Sequence, residues 1–521
     1  MRLSDATLPL IKDANPSVEI PVYDRSKLKP GIVHIGPGNF PLAHIAQKTH
    51  DLMQSGDADA LNYGIVGVSL QTPGRSDQLT PQDGLYTVVE QEPSGTNKMT
   101  VVGSVLGAMY APENPRAVID RIASADTRIV SMTIRPETHQ SYMDGNGGLN
   151  LAHPDIANDL DPANPPKTIF GYIVRGVQQR EAQGLSGLTV MNLDNMEHNG
   201  DVLGRAMRDF TAAYDPALLA AFDAKIIFPN SMVDRIVPGS TPELVRYVTA
   251  QAAYIDAAAI PAEPMPKVGS WVIEEKFANG RPAWEKIGAA QVVADVLPYE
   301  KMKLRLLNVS HAAIANLGDL MGYKHIDETM QDPLFRNFMK ELMENETGPT
   351  LLPVPGIDLP AYKDELVARF ANTAVKDTTA RVARDAPLKV VLDSAQDQLN
   401  AGGCIELLAL TTAAWMRRFG VEANEQGGQI KAEHPMVDIL KAKAAAGGSD
   451  PTAMFGVTEV FGSIGQNKRF ADTVAIYLDL LEDCGVALTM MCALSTLKNE
   501  AGLRPAQGGQ PAPVLPVLGK H

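Results

Sequence analysis

Short β-branched runs recur through the first half of the chain, and helical periodicity takes over in the second. In Gly31-Ile-Val-His-Ile-Gly-Pro-Gly-Asn-Phe40, the apolar Ile32, Val33 and Ile35 lead into Gly36-x-Gly38. Apolar residues at helical spacing follow: Ala43, Ile45, Ala46, Leu52 and Met53. That pattern predicts strand, glycine turn and helix. Further strands are predicted at 63–70, 100–103, 129–134, 188–193 and 225–228, with helices over 115–125 and 169–183. Strands alternating with helices predict an α/β fold with a doubly wound parallel sheet. From about Tyr299 long helical patterns dominate, at 301–321, 333–346, 362–370, 405–419, 435–443 and 472–481. The expected organisation is an α/β domain over 1–295 and a mainly α-helical domain over 296–521. The stretch from Pro505 to His521 is rich in Pro and Gly and reads as irregular.

Composition narrows the class. A length of 521 residues is ample for a large core, and 45% hydrophobic with 21% charged residues is ordinary for a globular protein. The net charge of −15 argues against a nucleic-acid partner, which calls for a basic footprint. Three cysteines, Cys404, Cys484 and Cys492, give neither a disulfide framework nor a zinc knuckle, so a reducing cytoplasmic compartment is expected. The segment Met1 to Pro21 carries charges throughout, unlike a signal peptide. The longest mainly apolar stretch, 485–497, is too short to span a bilayer, so no membrane partner is expected.

Five segments carry candidate chemistry. Gly36 and Gly38 would let the backbone turn tightly and approach a pyrophosphate at a helix N-terminus. Pro41 occupies the place of the third small residue of the dinucleotide fingerprint, so the motif alone reads equally as a structural turn. No acid follows the second strand; Arg75 lies nearby and could hold a 2′-phosphate, which leaves NAD and NADP both open. In Lys303-Leu-Arg-Leu-Leu-Asn308-Val-Ser-His311, Asn308 and His311 share a helix face. On an α-helix Lys303 would lie roughly 140° from Asn308 and about 80° from His311. A buried lysine of lowered pKa can take a hydroxyl proton, and an amide and an imidazole can donate to the alkoxide that develops. Polar clusters at 193–200 and 228–235 follow strands, where α/β sheets place ligands. The cationic run 381–389 could meet hydroxyls or an acid group, and reads equally as a solvated face. The ten histidines fall in no metal-ligand spacing, so no metal is expected, and Walker and Gly-x-Ser-x-Gly motifs do not occur.

Taken together these segments resemble the mannitol dehydrogenase family of polyol-specific long-chain dehydrogenases/reductases. The matching stretches are 31–40, Asp194-Asn-Met-Glu-His-Asn-Gly200, Phe228-Pro-Asn-Ser-Met-Val-Asp-Arg235, the run from Trp271 to Lys286, Lys303 to His311, Asp332-Pro-Leu-Phe335 and Pro353-Val-Pro-Gly-Ile-Asp-Leu359. The resemblance implies metal-independent hydride transfer between a polyol and a ketose, D-mannitol and D-fructose first, with fructuronate reduction or D-arabinitol oxidation as alternatives. A dinucleotide-binding protein without catalysis is the alternative from another class. The resemblance gives Lys303 the role of general base, Asn195 and Asn308 that of oxyanion stabilisers, and His311 that of substrate contact near the reacting carbon. Asp234, Arg381 and Lys389 would contact the remaining hydroxyls, and Val233 would line the same pocket. Gly36, Gly38, Asn39, Phe40, Arg75 and Glu137 would border the cofactor, NAD with NADP as the alternative. The chain departs from the family at Pro41-Leu42, where a His-Arg pair is usual, near Gly74, where an acid is expected, and at Glu137, whose spacing is shifted.

Overall fold

The computed structural model describes residues 1–134, 141–144, 147–266 and 269–502. The chain divides into two units. The first comprises Met1–Lys303 and Leu352–Lys376; the second comprises Leu304–Leu351 and the chain from Asp377 onward. The expected division at 295/296 thus falls a few residues early, and 352–376 returns to the first unit.

The first unit is built on a six-stranded sheet: β1 (Ile32–Ile35), β2 (Ile65–Ser69), β3 (Val105–Tyr110), β4 (Ile129–Met132), β5 (Leu188–Asn192) and β6 (Ile226–Ile227). Its order is β3-β2-β1-β4-β5-β6, with every pairing parallel. Such a sheet is covered on both faces, which is why its strands are near-continuous apolar runs rather than alternating ones. Ile32 and Ile129 face one core with Ile45, Leu52, Tyr63, Trp271 and Trp284. Val33, Ile35, Val130 and Met132 face the other, with Val118, Ile122, Phe170, Ile173 and Phe210. The predicted strand at 100–103 belongs elsewhere: Lys98–Val102 pairs antiparallel with Tyr86–Glu90 in a separate three-stranded sheet. A third small sheet joins Ser231–Val233, Trp271–Glu274 and Gln291–Val293.

Strand order reverses between β1 and β4, and ligands of open α/β sheets bind in the crevice beyond the strand ends at such a point. Gly36 ends β1 there with φ +84, and a Cβ on it would lie 2.4 Å from the Thr133 carbonyl oxygen just past β4. Both conditions require glycine. The helix that follows opens at Asn39–Pro41, widens into a π-helical turn at Leu42–Ala46 and closes as Gln47–Gln54. Pro41 is tolerated because it stands in the first turn, where an amide hydrogen has no intrahelical partner.

The second unit is helical. Its central helix, Glu406–Gly420, is buried along almost its whole length and packs against Val309–Met321, Leu388–Ala401, Lys468–Asp483 and Gly485–Gly502. The buried Glu346 carboxyl accepts the Leu407 and Leu408 amides, each at 2.8 Å, and so caps that helix from another segment. Burial pushes Glu346 up to about 8. Among the described residues, no helix is long and apolar enough to cross a membrane.

Gly36→Ala is expected to cost about 1–3 kcal/mol, the usual range for a side chain forced into the left-handed region. It should also weaken dinucleotide binding. Urea unfolding and a dinucleotide fluorescence titration check both; a variant as stable and as tight as the wild type contradicts this role for the turn.

Candidate active site

The loop after β5 and the strand Ser231–Val233 are locked together by asparagines. The Asn199 amide donates to the Asp194 carbonyl (3.0 Å) and the Ser231 carbonyl (2.7 Å), and its Oδ1 accepts from the Ser231 amide (2.9 Å). Asn230 Oδ1 accepts from the Gly200 and Asp201 amides at 2.9 and 3.1 Å, satisfying the start of the helix Asn199–Tyr214. A Cβ on Gly200 would sit 2.4 Å from the Pro229 carbonyl oxygen, so the close approach needs glycine. The two polar clusters read from the sequence are therefore largely scaffold, and the residues they present are Asn195 and Asp234.

Asn195 Oδ1 accepts a short hydrogen bond from Lys303 Nζ. Lys303 is buried, and desolvation pulls its ammonium down to about 8, with Asp234 opposing that shift and Arg369 adding to it. A lysine in this range exchanges its proton near neutral pH, as a general base requires. Lys303 opens a π-helical turn, Lys303–Asn308, between the α-helices Leu297–Met302 and Val309–Met321. This corrects the expected geometry. A π turn bonds residue i to i+5, so the α-helical separation of roughly 140° between Lys303 and Asn308 does not hold in this turn.

Asp234, at the end of Ser231–Val233, is buried and clamped by Arg369: Nη1 reaches Oδ2 at 2.5 Å and Nη2 reaches Oδ1 at 3.0 Å. The other edge of the guanidinium meets Glu263 at 2.7 and 3.1 Å. Burial pushes Glu263 up, while Arg369 draws it down. Neither Arg369 nor Glu263 was legible in the sequence, since each sits in an unremarkable stretch remote from the motifs. Glu300, one turn before Lys303, was missed as well. Its Oε2 accepts from the His198 amide at 3.3 Å, its Oε1 has no partner, and burial pushes it up to about 8. Asp194 is similar: Oδ1 accepts from the Ile134 amide at 2.6 Å, Oδ2 is unpartnered, and burial pushes it up to about 7.

The remaining candidates fall in several places. Val233 belongs to the core of the first unit. Asn308 and His311 lie in the second unit, Asn308 buried and His311 half-buried. Arg381 is held by Asp377 and by Asp385, the latter at 3.0 Å. Lys389 is largely exposed, its side chain 77% accessible, and pairs with Asp393 one turn on at 2.5 Å. Within the second unit it forms an exposed helix pair.

A dinucleotide fits the first unit. Gly38 precedes the helix with nothing but the Gly36 carbonyl oxygen, at 3.9 Å, near its Cβ position, which leaves backbone open to a phosphate. Asn39 donates to the Pro238 carbonyl at 2.9 Å and to Ser240 Oγ at 3.1 Å, and accepts a short bond from Arg75. Phe40 stacks on His44 at 5.0 Å. Gly36, Gly38, Asn39, Phe40 and Arg75 thus gather around the ends of β1 and β2, while Glu137 lies outside the described residues. Among the described residues, no group of three or more His, Cys, Asp or Glu could hold a metal.

Sheet order and glycine turn define a Rossmann-type fold, and the family matches place the chain among oxidoreductases acting on CH–OH groups. The family model described as the mannitol dehydrogenase Rossmann domain matches residues 30–286, and that of the mannitol dehydrogenase C-terminal domain matches 295–481. The chain belongs to the mannitol dehydrogenase family. Mannitol 2-dehydrogenase of Pyricularia oryzae is 37% identical over 484 residues, 91% of this chain and 95% of that protein. That of Aspergillus terreus is 36% identical over 485 residues, again 91% and 95%. Among solved structures, the ternary complex of Pseudomonas fluorescens mannitol 2-dehydrogenase with NAD and D-mannitol superimposes with a TM-score of 0.86 at 36% identity, covering 95% of this chain and all of that one. A D-sorbitol dehydrogenase in substrate-free form gives 0.81 at 28% identity, covering 94% of this chain and all of that one.

Arg381→Ala strands the buried Asp377 carboxylate and is expected to cost about 1–3 kcal/mol, whereas Lys389→Ala, losing an exposed i,i+4 pair, should cost about 0.5 kcal/mol or less. Urea midpoints separate the two; equal losses would contradict the difference in burial.

Proposed function

We propose that the protein interconverts D-mannitol and D-fructose with NAD as hydride acceptor and donor. The observation that carries the reading is the buried Lys303 amine held on Asn195, its ammonium drawn down to about 8 by that burial. The curated relatives named mannitol 2-dehydrogenase and the solved complex with NAD and D-mannitol support the substrate and the cofactor.

In oxidation the neutral Lys303 amine takes the proton of the substrate's C2 hydroxyl. The C2–H bond breaks with its electron pair and the carbonyl forms. A nicotinamide, when bound, supplies the hydride acceptor. In reduction Lys303 starts protonated and returns that proton to the oxygen. Asn195 and Asn308 take the role of amide donors to the developing oxyanion, which stabilise charge that is absent from the ground state. His311, Asp234 and Arg381 are assigned to the other hydroxyls. Gly36 and Gly38 would hold the pyrophosphate. Arg75 and the missing acid after β2 make the ribose end of the site the place where NAD and NADP are told apart.

Initial rates with D-mannitol, D-arabinitol, D-sorbitol, D-fructose and D-fructuronate, each with NAD(H) and NADP(H), test the reading. Turnover is expected on mannitol and fructose, with a loss of about 10²–10⁴-fold in Lys303→Ala and dinucleotide affinity retained. Turnover on fructuronate or arabinitol alone would move the substrate within the family. Unchanged turnover in Lys303→Ala would remove the base assignment.

A further inference from the structure

The segment Leu352–Lys376 belongs to the first unit, although most of the chain on either side of it lies in the second. Its helix, Leu359–Phe370, delivers Arg369 to Asp234. We propose that Arg369 is a positioning residue for the polyol site: it fixes the Asp234 carboxylate for a substrate hydroxyl and tempers the field of that carboxylate on Lys303. The inference rests on the function proposed above.

The geometry is that of a two-sided clamp. One edge of the guanidinium takes both oxygens of Asp234, at 2.5 and 3.0 Å, and the other takes both oxygens of Glu263, at 3.1 and 2.7 Å. The three side chains are 8%, 4% and 3% exposed. Glu263 is itself pinned, its Oε1 accepting the Ile236 amide at 2.7 Å, and the Asp234 amide is fixed on the Ser270 carbonyl at 2.8 Å. The guanidinium is therefore anchored from behind, and Asp234 has one orientation. A carboxylate that must accept from a neutral polyol needs this, because the substrate brings no charge to offset its burial. A bidentate guanidinium fixes both of its oxygens and supplies the opposite charge.

The clamp also reaches the base. The charged groups bearing on Lys303 are Asp234, which strengthens its hold on the proton, and Arg369, which weakens it. Glu263 acts through Arg369, Asn195 is a neutral partner, and Glu300 on the same helix is pushed up to about 8 by its burial. Tyr362, seven residues before Arg369 and so on the same face of its helix, is fully buried with its hydroxyl unpartnered, and Asp234 is the charge that weighs most on it.

Two readouts on the full-length protein test the proposal. The first is kcat/KM for D-mannitol against pH with saturating NAD. The second is competitive acetylation of Lys303 by acetic anhydride against pH, followed by peptide mass spectrometry, which reads the same titration without turnover. An inactive wild type would overturn the proposed function and leave the acetylation profile to judge the clamp. Arg369→Gln is expected to raise the Lys303 midpoint by about one pH unit, a tenfold change in proton affinity. It should also raise the mannitol KM tenfold or more with dinucleotide affinity within twofold. Arg369→Lys should recover part of both, and Asp234→Asn should move the midpoint down instead. A folded Arg369→Gln with midpoint and KM unchanged, or with the midpoint lowered, overturns the proposal. If that variant does not fold, Glu263→Gln decides: it leaves the guanidinium less balanced, so the midpoint should fall, and an unchanged midpoint and KM overturn the proposal equally.

Discussion

Taking the Lys303 ammonium out of water is the constraint on which the rest of the first unit's site is arranged. Burial alone disfavours the charged form, and it is this that brings a group that ordinarily titrates near 10.5 down to about 8. Such an amine needs a fixed neighbour, or its proton would be given up to any available acceptor. Asn195 is that neighbour, a neutral side chain that accepts from the nitrogen without adding charge. The charges on Asp234 and Arg369 are tied to each other and pull Lys303 in opposite directions.

The sheet serves that arrangement through its strand ends. Asn195 is placed by the loop after β5, and Asp234 by the short strand that follows β6. Asn199 and Asn230 bind the two loops into one piece. Lys303 enters through a helix whose regularity breaks at that residue. The π turn costs some hydrogen-bond quality, and such turns gather at functional sites. A second lies at Leu42–Ala46, shortly after the glycine turn.

The fold was legible where local chemistry dictates it. The β-branched runs announced β1, β4 and β5, and Gly36-x-Gly38 announced the turn, because only glycine meets both its dihedral angle and its contact with Thr133. The lysine, asparagine and histidine of 303–311 were legible as a set through their resemblance to a family, but their geometry was not. An α-helix and a π turn have the same apolar pattern over six residues, and only tertiary packing selects between them. Arg369 and Glu263 were illegible for a related reason. A charged residue at the end of an amphipathic helix reads as solvated, and nothing local says that residues 352–376 return to the first unit.

The most direct test of the account is the pH dependence of both reaction directions in one preparation, kcat/KM for D-mannitol oxidation and for D-fructose reduction between pH 6 and 10. One lysine serving as base forward and acid in reverse requires oxidation to rise and reduction to fall through the same midpoint, at about 8. Two profiles that move in the same direction, or oxidation that is flat across this range, would contradict the assignment of proton transfer to Lys303.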